Sequence, residues 1–441
     1  MASSSTPLIL FLFYSSILIV SVSSANHKKT PFQPYGLVFP IIKDQSTNYT
    51  QHITRIYQRT PLVPISLTFD LGGENLWVDC GNRFYNSSSY EPAHCGSKIC
   101  KTFGGLSCRD CWDGPRPGCN KNTCTTEIRN QITDHLTLGE LAQDNFAVQS
   151  FNGSSPSPGP LVSVPRLVFA CGEAPQLEGT PDLVHGFAGF GRGNLGISSV
   201  LSKAFNLPNK FAVCLSNSTR STGVIFFGEK PYLVNPNRDL SVYLLYTPLI
   251  IKPFRIPGVK WKDCSSLDYW VQVTSIEISG KKVPLNTTLL TIDKEGFGGT
   301  KISTIHPYTI MSTKIYKAFI KAYLKEFAHG KRVKAVEPFE LCFKDLPDTQ
   351  VGPSSPFIDI IFHSEFIGWR IYGANSMVKV GKNVFCLGFL DGGENNEIGM
   401  IIGAHQMENN LFQFDLVNSR LGFTSTLLRE QTSCSKFNFR G

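Results

Sequence analysis

Short apolar runs separated by turn residues fill most of the chain, and this pattern predicts a mostly β fold. Two segments instead have helical spacing: residues 197–205 form a short helix, and residues 313–330 form an amphipathic helix ended by Gly330. The predicted strands include residues 38–42, 61–71, 75–80, 167–172, 211–215, 223–228, 269–278 and a closing hairpin at 411–423.

The two halves of the chain repeat one arrangement. Residues 67–78 read LTFDLGGENLWV and residues 299–310 read GTKISTIHPYTI, so each gives an apolar strand, a turn and a second apolar strand. Each is followed later by an apolar stretch with glycine, at 186–191 and at 399–405. Because small residues let two backbones cross closely, we expect each loop to be crossed by its glycine stretch.

The length of 441 residues exceeds the size at which a single core stops growing, which is about 250 to 300 residues. Together with the repeat, this predicts two β-rich lobes on either side of a cleft. The N-terminal lobe would span residues 26–240, with a cysteine-rich insertion at 81–124, and the C-terminal lobe residues 241–441. The composition, with 38 glycines and 27 prolines, suits such a turn-rich fold.

The first 25 residues have no charged side chain, an apolar centre from Leu8 to Val22, and small residues near Ala25. This pattern predicts a secretory signal peptide cleaved near Ala25. The alternative is a membrane anchor, but the apolar run is short for a span. No later stretch has 18 apolar residues, so we expect a protein of the extracellular space or cell wall with no membrane contact after cleavage.

Thirteen cysteines in an exported chain predict disulfides. The C-x-x-C of Cys108 and Cys111 suggests zinc as an alternative, but the second half of a zinc site is missing. We expect no metal and no cofactor. Cys264, in a polar segment, is the candidate unpaired thiol. The cysteines predicted to pair are Cys80, Cys95, Cys100, Cys108, Cys111, Cys119, Cys124, Cys171, Cys214, Cys342, Cys386 and Cys434. Of these, Cys342 and Cys386 fall on neighbouring predicted strands and are expected to pair with each other.

The net charge and the glycosylation sequons predict the character of the protein's surface. The formal charge of +8 favours acidic polysaccharides or acidic proteins as partners, or serves solubility alone. No basic run with interleaved aromatic residues indicates nucleic acid. Together with the export signal, five N-x-[ST] sequons predict a glycoprotein: Asn48, Asn86, Asn152, Asn217 and Asn286.

These motifs resemble the pepsin-like aspartic protease fold over most of residues 35–425. FDLGGENLWVDC and GTKISTIHPYTI stand where that family carries its two catalytic aspartate loops. The cysteine-rich block CWDGPRPGCNKNTC and the segments FCLGFLDGG and HQMENNLFQFDLVNSRLGF are similar to a narrower plant group. That group contains extracellular dermal glycoproteins, xyloglucan-specific endoglucanase inhibitors, xylanase inhibitors and basic seed globulins.

The resemblance implies that the protease dyad is incomplete. Aspartic proteases need two carboxylates sharing a proton, and here Asp70 supplies one while Ser303 occupies the other position. A serine hydroxyl cannot replace a carboxylate base, and without its partner Asp70 is expected to behave as an ordinary hydrogen-bonded carboxylate. Gly72 and Gly73 also depart from the first loop's pattern, and the flap region 129–145 has no tyrosine. These departures predict no peptidase activity.

Other catalytic interpretations have less support. Ser303 and His306 are close in sequence, but no nucleophile elbow frames them as a serine hydrolase. Asp391, Glu394 and Glu397 resemble the paired carboxylates of glycoside hydrolases, or form a solvated acidic loop.

In the resembled group, inactive members place loops into the clefts of secreted microbial glycoside hydrolases. The basic run of Lys331, Arg332 and Lys334 is the candidate contact, because a cation between two catalytic carboxylates gains charge-assisted hydrogen bonds. The alternative interpretation of this basic run is a solvated turn after a helix. The second candidate is the loop with Glu397, near which xyloglucanase inhibitors carry an arginine; an acid there would repel a catalytic carboxylate.

Three functions therefore remain open. The first is inhibition of a xyloglucan-specific endoglucanase or xylanase in plant defence. The second is a wall or storage glycoprotein that binds carbohydrate or peptide without inhibition. The third is a residual aspartic endopeptidase, which Ser303 argues against.

Overall fold

The structure is a computed structural model that describes residue 1 and residues 33–439, except for 48–49, 82–84, 254–265 and 295. Apart from Met1, the predicted signal peptide lies outside these residues, as do Asn48 and Cys264. Among the described residues, no helix has both the length and the apolar character needed to cross a membrane.

The first half of the described chain contains fourteen strands and two short helices. The helices are α1 (Lys98–Thr102) and α2 (Ile197–Phe205). The strands are β1 (Gly36–Asp44), β2 (Gln51–Gln58), β3 (Val63–Asp70), β4 (Leu76–Asp79), β5 (Glu91–Pro92), β6 (Ser107–Arg109), β7 (Thr123–Asn130), β8 (His135–Phe151), β9 (Leu161–Gly172), β10 (Gly186–Gly189), β11 (Lys210–Cys214), β12 (Gly223–Gly228), β13 (Leu233–Val234) and β14 (Arg238–Asp239).

The second half contains eighteen strands within the described residues. Its helices are α3 (Thr313–Glu326), α4 (Gly373–Ser376) and α5 (Ala404–Met407). The strands are β15 (Leu245–Ile250), β16 (Tyr269–Val271), β17 (Ser275–Ile278), β18 (Lys281–Lys282), β19 (Thr300–Ile302), β20 (Thr309–Met311), β21 (Arg332–Val333), β22 (Cys342–Lys344), β23 (Asp348–Thr349), β24 (Gly352–Pro353), β25 (Ile358–Ile361), β26 (Gly368–Ile371), β27 (Met377–Lys379), β28 (Val384–Leu387), β29 (Phe389–Asp391), β30 (Met400–Ile402), β31 (Leu411–Asp415) and β32 (Arg420–Phe423).

These elements confirm the prediction of a mostly β fold. The helix α2 has the predicted limits and ends at Asn206, which adopts a left-handed conformation (φ 51°). The helix α3 ends at Glu326, earlier than the predicted Gly330. The chain turns there because Phe327 leaves the helix to pack on Phe343, with ring centroids 4.7 Å apart.

One sheet joins strands from the two halves of the sequence. The strand β11 pairs with β12 on one side and with β31, close to the C-terminus, on the other. The strand β31 pairs with β32, which pairs with β15. At this junction Phe211 stacks on Phe414, with ring centroids 4.9 Å apart. The closing hairpin predicted at 411–423 is therefore confirmed, and it fastens the second half to the first. The lobe boundary at residues 240–241 stays a prediction.

Six disulfides cross-link the described residues, which confirms the prediction of a disulfide-bonded protein. Cys108 and Cys111, the pair that suggested zinc, join different partners. Cys342 pairs with Cys386, as predicted, across β22 and β28. The pairs are Cys80–Cys171, Cys95–Cys108, Cys100–Cys124, Cys111–Cys119, Cys214–Cys434 and Cys342–Cys386.

Candidate functional site

The two repeated loops are each built by three strands. In the first half, β10 lies between β3 and β4; it runs parallel to β3 and antiparallel to β4. In the second half, β30 lies in the same way between β19 and β20. Gly189 crosses so close to the first loop that an added Cβ would lie 2.4 Å from the carbonyl oxygen of Asn75. The repeat that the sequence indicates is therefore a physical one.

Asp70 ends β3 and lies in the first loop, with only 3% of its surface exposed. Its Oδ1 accepts a hydrogen bond of 3.1 Å from the backbone N–H of Gly72. A Cβ on Gly73 would lie 2.7 Å from Asp70 Oδ2, so the carboxylate folds over this glycine. The small residues of the loop therefore make the room in which the acid is buried.

Ser303 occupies the corresponding place in the second loop and is also buried. Its hydroxyl lies 2.9 Å from Nδ1 of His306 and accepts hydrogen bonds from the backbone N–H groups of Ile305 and His306. Burial, with the nearby Lys301, lowers the pKa of His306 to about 4, so the imidazole is neutral. Within the described residues, no carboxylate hydrogen-bonds this histidine. The pair therefore lacks the third group that orients the base of a serine hydrolase.

A second hydroxyl, that of Thr304, links the two loops. It accepts from the backbone N–H of Leu71 at 3.0 Å and donates to the carbonyl oxygen of Phe69 at 2.9 Å. Thr304 is 1% exposed. It therefore satisfies two buried backbone groups that flank Asp70 and holds the loops together.

The structure brings a second carboxylate to this site, from a residue that sequence reasoning did not single out. Asp268, just before β16, forms an ion pair with Lys301, Nζ to Oδ2 at 3.2 Å, and accepts a bond from Ser266 to the same oxygen. Its Oδ1 lies against Gly72, where an added Cβ would be only 2.3 Å away. The signal in the sequence was Lys301, a cation in a short apolar strand that needs an acid beside it.

The expectation that Asp70 is an ordinary carboxylate is wrong. Burial, with a further contribution from the negative charge of Asp268, raises the pKa of Asp70 to about 7. The hydrogen bonds from Gly72 and Gly73 and the charge of Lys301 oppose this rise but do not cancel it. Loss of the second loop's aspartate does not return Asp70 to its usual range, because the cost of burial remains.

The chemistry available in this cleft is limited. Asp70 and Asp268 form no hydrogen bond with each other in the described structure, and Ser303 does not bond Asp70. The hairpin of β7 and β8, which corresponds to the flap region, has no tyrosine between residues 129 and 145. Within the part of the chain that the structure describes, the site therefore shows no pair of carboxylates that share a proton by a hydrogen bond.

The basic run lies in the second half, at the edge of another sheet. The strand β21 pairs with β22, and the Cys342–Cys386 disulfide ties β22 to β28. Lys331, Arg332 and Lys334 are all exposed. Lys331 lies 3.6 Å from Asp345, whereas Arg332 and Lys334 form no ion pair with any described residue.

The acidic loop between β29 and β30 is exposed at Asp391, Glu394 and Glu397. Asp391 accepts a hydrogen bond from Thr313 at 2.5 Å, and Glu394 lies 3.8 Å from Lys317. Glu397 uses its backbone oxygen to accept from Gly298 at 2.7 Å. These acids therefore contact different neighbours and do not form a catalytic pair. Four sequon asparagines are described, and all are exposed: Asn86, Asn152, Asn217 and Asn286.

Comparison of the sequence with known proteins gives matches over most of the chain. The family model "Xylanase inhibitor N-terminal" matches residues 52–229, and "Xylanase inhibitor C-terminal" matches residues 268–425. The chain is 48% identical over 428 residues to "Probable aspartic proteinase GIP2" of Nicotiana benthamiana, covering 96% of each protein.

Two solved structures have the same fold. The crystal structure of "edgp" superimposes with a TM-score of 0.89 at 46% identity, covering 93% of this chain and 99% of that one. Conglutin gamma, "a unique basic 7S globulin from lupine seeds", gives a TM-score of 0.80 at 36% identity, covering 92% of this chain and 100% of that one. These neighbours confirm the pepsin-like fold predicted from the sequence.

Proposed function

The chain belongs to the xylanase-inhibitor family of pepsin-like proteins, and from this premise we propose that it inhibits secreted microbial glycoside hydrolases. Xyloglucan-specific endoglucanases and xylanases are the target class, and the setting is plant defence. The protein would act outside the cell, in the cell wall space, as a glycoprotein without peptidase activity. The export-type N-terminus, the six disulfides and the exposed sequons support this location.

The observation that carries the proposal is the pair of exposed cations Arg332 and Lys334. Neither forms an ion pair among the described residues, so neither must break one to bind a partner. Arg332 lies on β21, the edge strand of a sheet that the Cys342–Cys386 disulfide cross-links, and Lys334 follows that strand closely, so the backbone beneath both cations needs little ordering on binding. Glycoside hydrolase clefts contain two carboxylates, and a guanidinium between them forms charge-assisted hydrogen bonds in a desolvated site.

Glu397 limits where the target can be contacted. An exposed carboxylate inserted between two catalytic carboxylates would meet like charge, which is unfavourable. Lys252 offsets the charge of Glu397 only in part. The Lys252 Nζ lies 4.2 Å from the centroid of the Trp270 ring. Burial and Lys301 lower the pKa of Lys252, and the negative charge of Glu397 opposes that lowering without cancelling it. We therefore assign target contact to the basic run and not to the acidic loop.

An inhibition assay against secreted fungal endoglucanases and xylanases tests the proposal. For a hydrolase that is inhibited, Arg332→Ala should weaken inhibition at least about thirtyfold, because truncating one partner of a buried charge pair costs about 2 kcal/mol or more. Lys282→Ala is the matched control, since Lys282 is an exposed cation on β18 in a different sheet. No inhibition across the panel would reject the proposal, and an unchanged constant for Arg332→Ala would reject this loop.

A residual aspartic endopeptidase is the second candidate function, and Asp268 is the observation that favours it. A carboxylate beside Asp70 restores a second acid from a different strand. Against it, Oδ2 of Asp268 is held by Lys301 and Ser266 while Oδ1 lies against Gly72. Cleavage of an unfolded protein at acid pH, abolished by Asp268→Asn, would establish this activity; absence of cleavage supports the inhibitor.

The third candidate is a wall or storage glycoprotein that binds carbohydrate or peptide without inhibition. The specific observation in its favour is the similarity to a basic 7S globulin of lupine seeds over the whole of that chain. Binding to wall polysaccharide together with a negative inhibition panel would favour it over the inhibitor.

A further inference from the structure

Trp112 projects from the cysteine-rich insertion, and 80% of its surface is exposed. The other described tryptophans are buried: Trp77, Trp270 and Trp369. A single exposed apolar side chain is ordinary on a protein surface, but tryptophan is large and is highly buried on average. An open indole ring is therefore a candidate contact with a partner, provided that its loop is well anchored.

The loop that carries Trp112 is fixed at its base. A disulfide between Cys111 and Cys119 closes it. Next to this disulfide, Asn120 binds the buried carboxylate of Glu140 at both oxygens. The backbone N–H of Asn120 donates to Oε2 at 3.0 Å, and its Nδ2 donates to Oε1 at 2.8 Å. The loop is therefore preformed, and little backbone ordering is needed when a partner binds.

Positive charge accompanies the ring. The Nζ of Lys121 lies 5.3 Å from the centroid of the Trp112 ring. Arg116 has one long ion pair, of 3.8 Å, with the aspartate three residues before it, whereas Arg109 and Lys121 form none with any described residue. Residues 94–124 contain five cations, all exposed, and two acids, which gives this segment a net charge of +3. The insertion therefore offers an aromatic ring together with cations that have no internal partner.

This combination suits a sugar chain better than a protein. Within residues 107–124, Trp112 is the only large apolar side chain that is exposed. A stable protein interface buries about 1,200 to 2,000 Å² around an apolar centre, which one side chain does not provide. A sugar ring has one face of C–H groups that packs on a single indole, and its polar groups point to the sides. The unpaired cations favour a sugar that carries a carboxylate.

We propose that Trp112 and Lys121 bind an acidic polysaccharide, with a uronic acid ring stacked on the indole and its carboxylate beside the Lys121 ammonium group. Arg109 and Arg116 add positive charge that attracts the rest of the polysaccharide chain. No N-x-[ST] sequon falls within residues 107–124, so none of the predicted glycans is attached to this surface. The inference goes beyond hydrolase inhibition and does not use the basic run of the second half, so each can fail without the other.

Isothermal titration of the protein, purified from a secreting host, with an oligogalacturonide tests the inference. The methyl ester of the same oligosaccharide has the ring without the charge, and poly-glutamate has the charge without the ring. Trp112→Ala should weaken binding about tenfold, because the stacked contact is lost. Lys121→Gln should weaken it about threefold, because an exposed ion pair is weak. The matched controls are Phe366→Ala, an aromatic residue that is 93% exposed between β25 and β26, and Lys282→Gln, an exposed cation on β18.

Saturable binding of the oligogalacturonide that Trp112→Ala and Lys121→Gln weaken, and that the two controls leave unchanged, would support the surface. Equal binding of the methyl ester would overturn the proposal, because no carboxylate would then be recognised. Equal binding of poly-glutamate would overturn it in favour of an acidic protein partner. Absence of binding, or equal losses in the control variants, would overturn it as well, since the contact would then not depend on Trp112.

Discussion

Replacing Asp70 by asparagine should change how the stability of the protein depends on pH. In the folded state the pKa of Asp70 is raised to about 7, whereas its ordinary value is 3.8. Between these two pH values the folded protein holds a proton that the unfolded chain has released. Stability therefore falls as the pH rises through this window, and it is higher below the window than above it.

The structure gives the size of this effect. Each pKa unit corresponds to about 1.4 kcal/mol, so a rise from 3.8 to about 7 corresponds to roughly 4 kcal/mol. The carboxyl is buried, with 3% of its surface exposed, so solvent screening reduces this figure little. Asparagine has nearly the same shape and does not ionise. Asp70→Asn should therefore match the unaltered protein near pH 4 and exceed its stability by roughly 4 kcal/mol above pH 7.

Urea unfolding followed by tryptophan fluorescence, with disulfides intact, measures this difference at several pH values between about 4.5 and about 7.5. The difference between variant and unaltered protein is the quantity to use, because other groups also titrate. Burial lowers the pKa of His52 and of His306 to about 4, so both make stability rise with pH over part of the same range. Asp182→Asn is the control for charge alone, since Asp182 is exposed.

Parallel stability curves for Asp70→Asn and the unaltered protein would refute the reasoning. They would show that Asp70 ionises in the folded state as it does in the unfolded chain. An asparagine variant that loses stability at every pH would also contradict it, because the neutral side chain is the form that the site favours.

Two further predictions concern buried contacts. Burial alone would raise the pKa of Glu408, but His405 at 3.2 Å and Lys43 at 2.6 Å outweigh it and lower that pKa to about 2. Glu408→Gln should therefore lose about 3 kcal/mol above pH 4.5, and the loss should shrink as the pH falls toward 2; a pH-independent loss in acid denaturation would contradict this. Thr304→Val should lower the free energy of unfolding in urea by about 1 to 3 kcal/mol, because the N–H of Leu71 loses its acceptor. Thr102→Val is the control: Thr102 is exposed on α1, and this variant should change the free energy of unfolding by no more than about 0.5 kcal/mol. Equal losses in the two threonine variants would show that the hydroxyl does not link the loops.

Sequence patterns predicted those parts of the fold that depend on local chemistry. The helix α2 has apolar residues at helical spacing, at positions 197, 200, 201, 204 and 205, and its limits were predicted correctly. The two loops around Asp70 and Ser303 were found as a repeat because each needs small residues at a backbone crossing. The end of α3 was placed too late, because the packing of Phe327 on Phe343 is a contact between distant segments.

The contents of the candidate site were harder to predict, because they come from segments far apart in the chain. Asp268 reaches Gly72 only through the pairing of β16 with β19, which brings it beside Lys301. Thirteen cysteines do not specify their pairing, so sequence alone predicted only Cys342–Cys386 among the six disulfides of the described residues.

The Asp268–Lys301 ion pair explains why a buried acid can persist beside an incomplete dyad. A protease divides one proton between two carboxylates, and their repulsion is relieved by sharing it. Here Asp268 pairs with Lys301 and forms no hydrogen bond with Asp70 in the described structure. Asp70 therefore meets the cost of burial, together with the repulsion that remains from Asp268, by holding its own proton. With Asp70 protonated and Asp268 paired with Lys301, these three groups together are close to neutral below pH 7. Ser303 can therefore occupy the place of the second aspartate without leaving an unpaired charge.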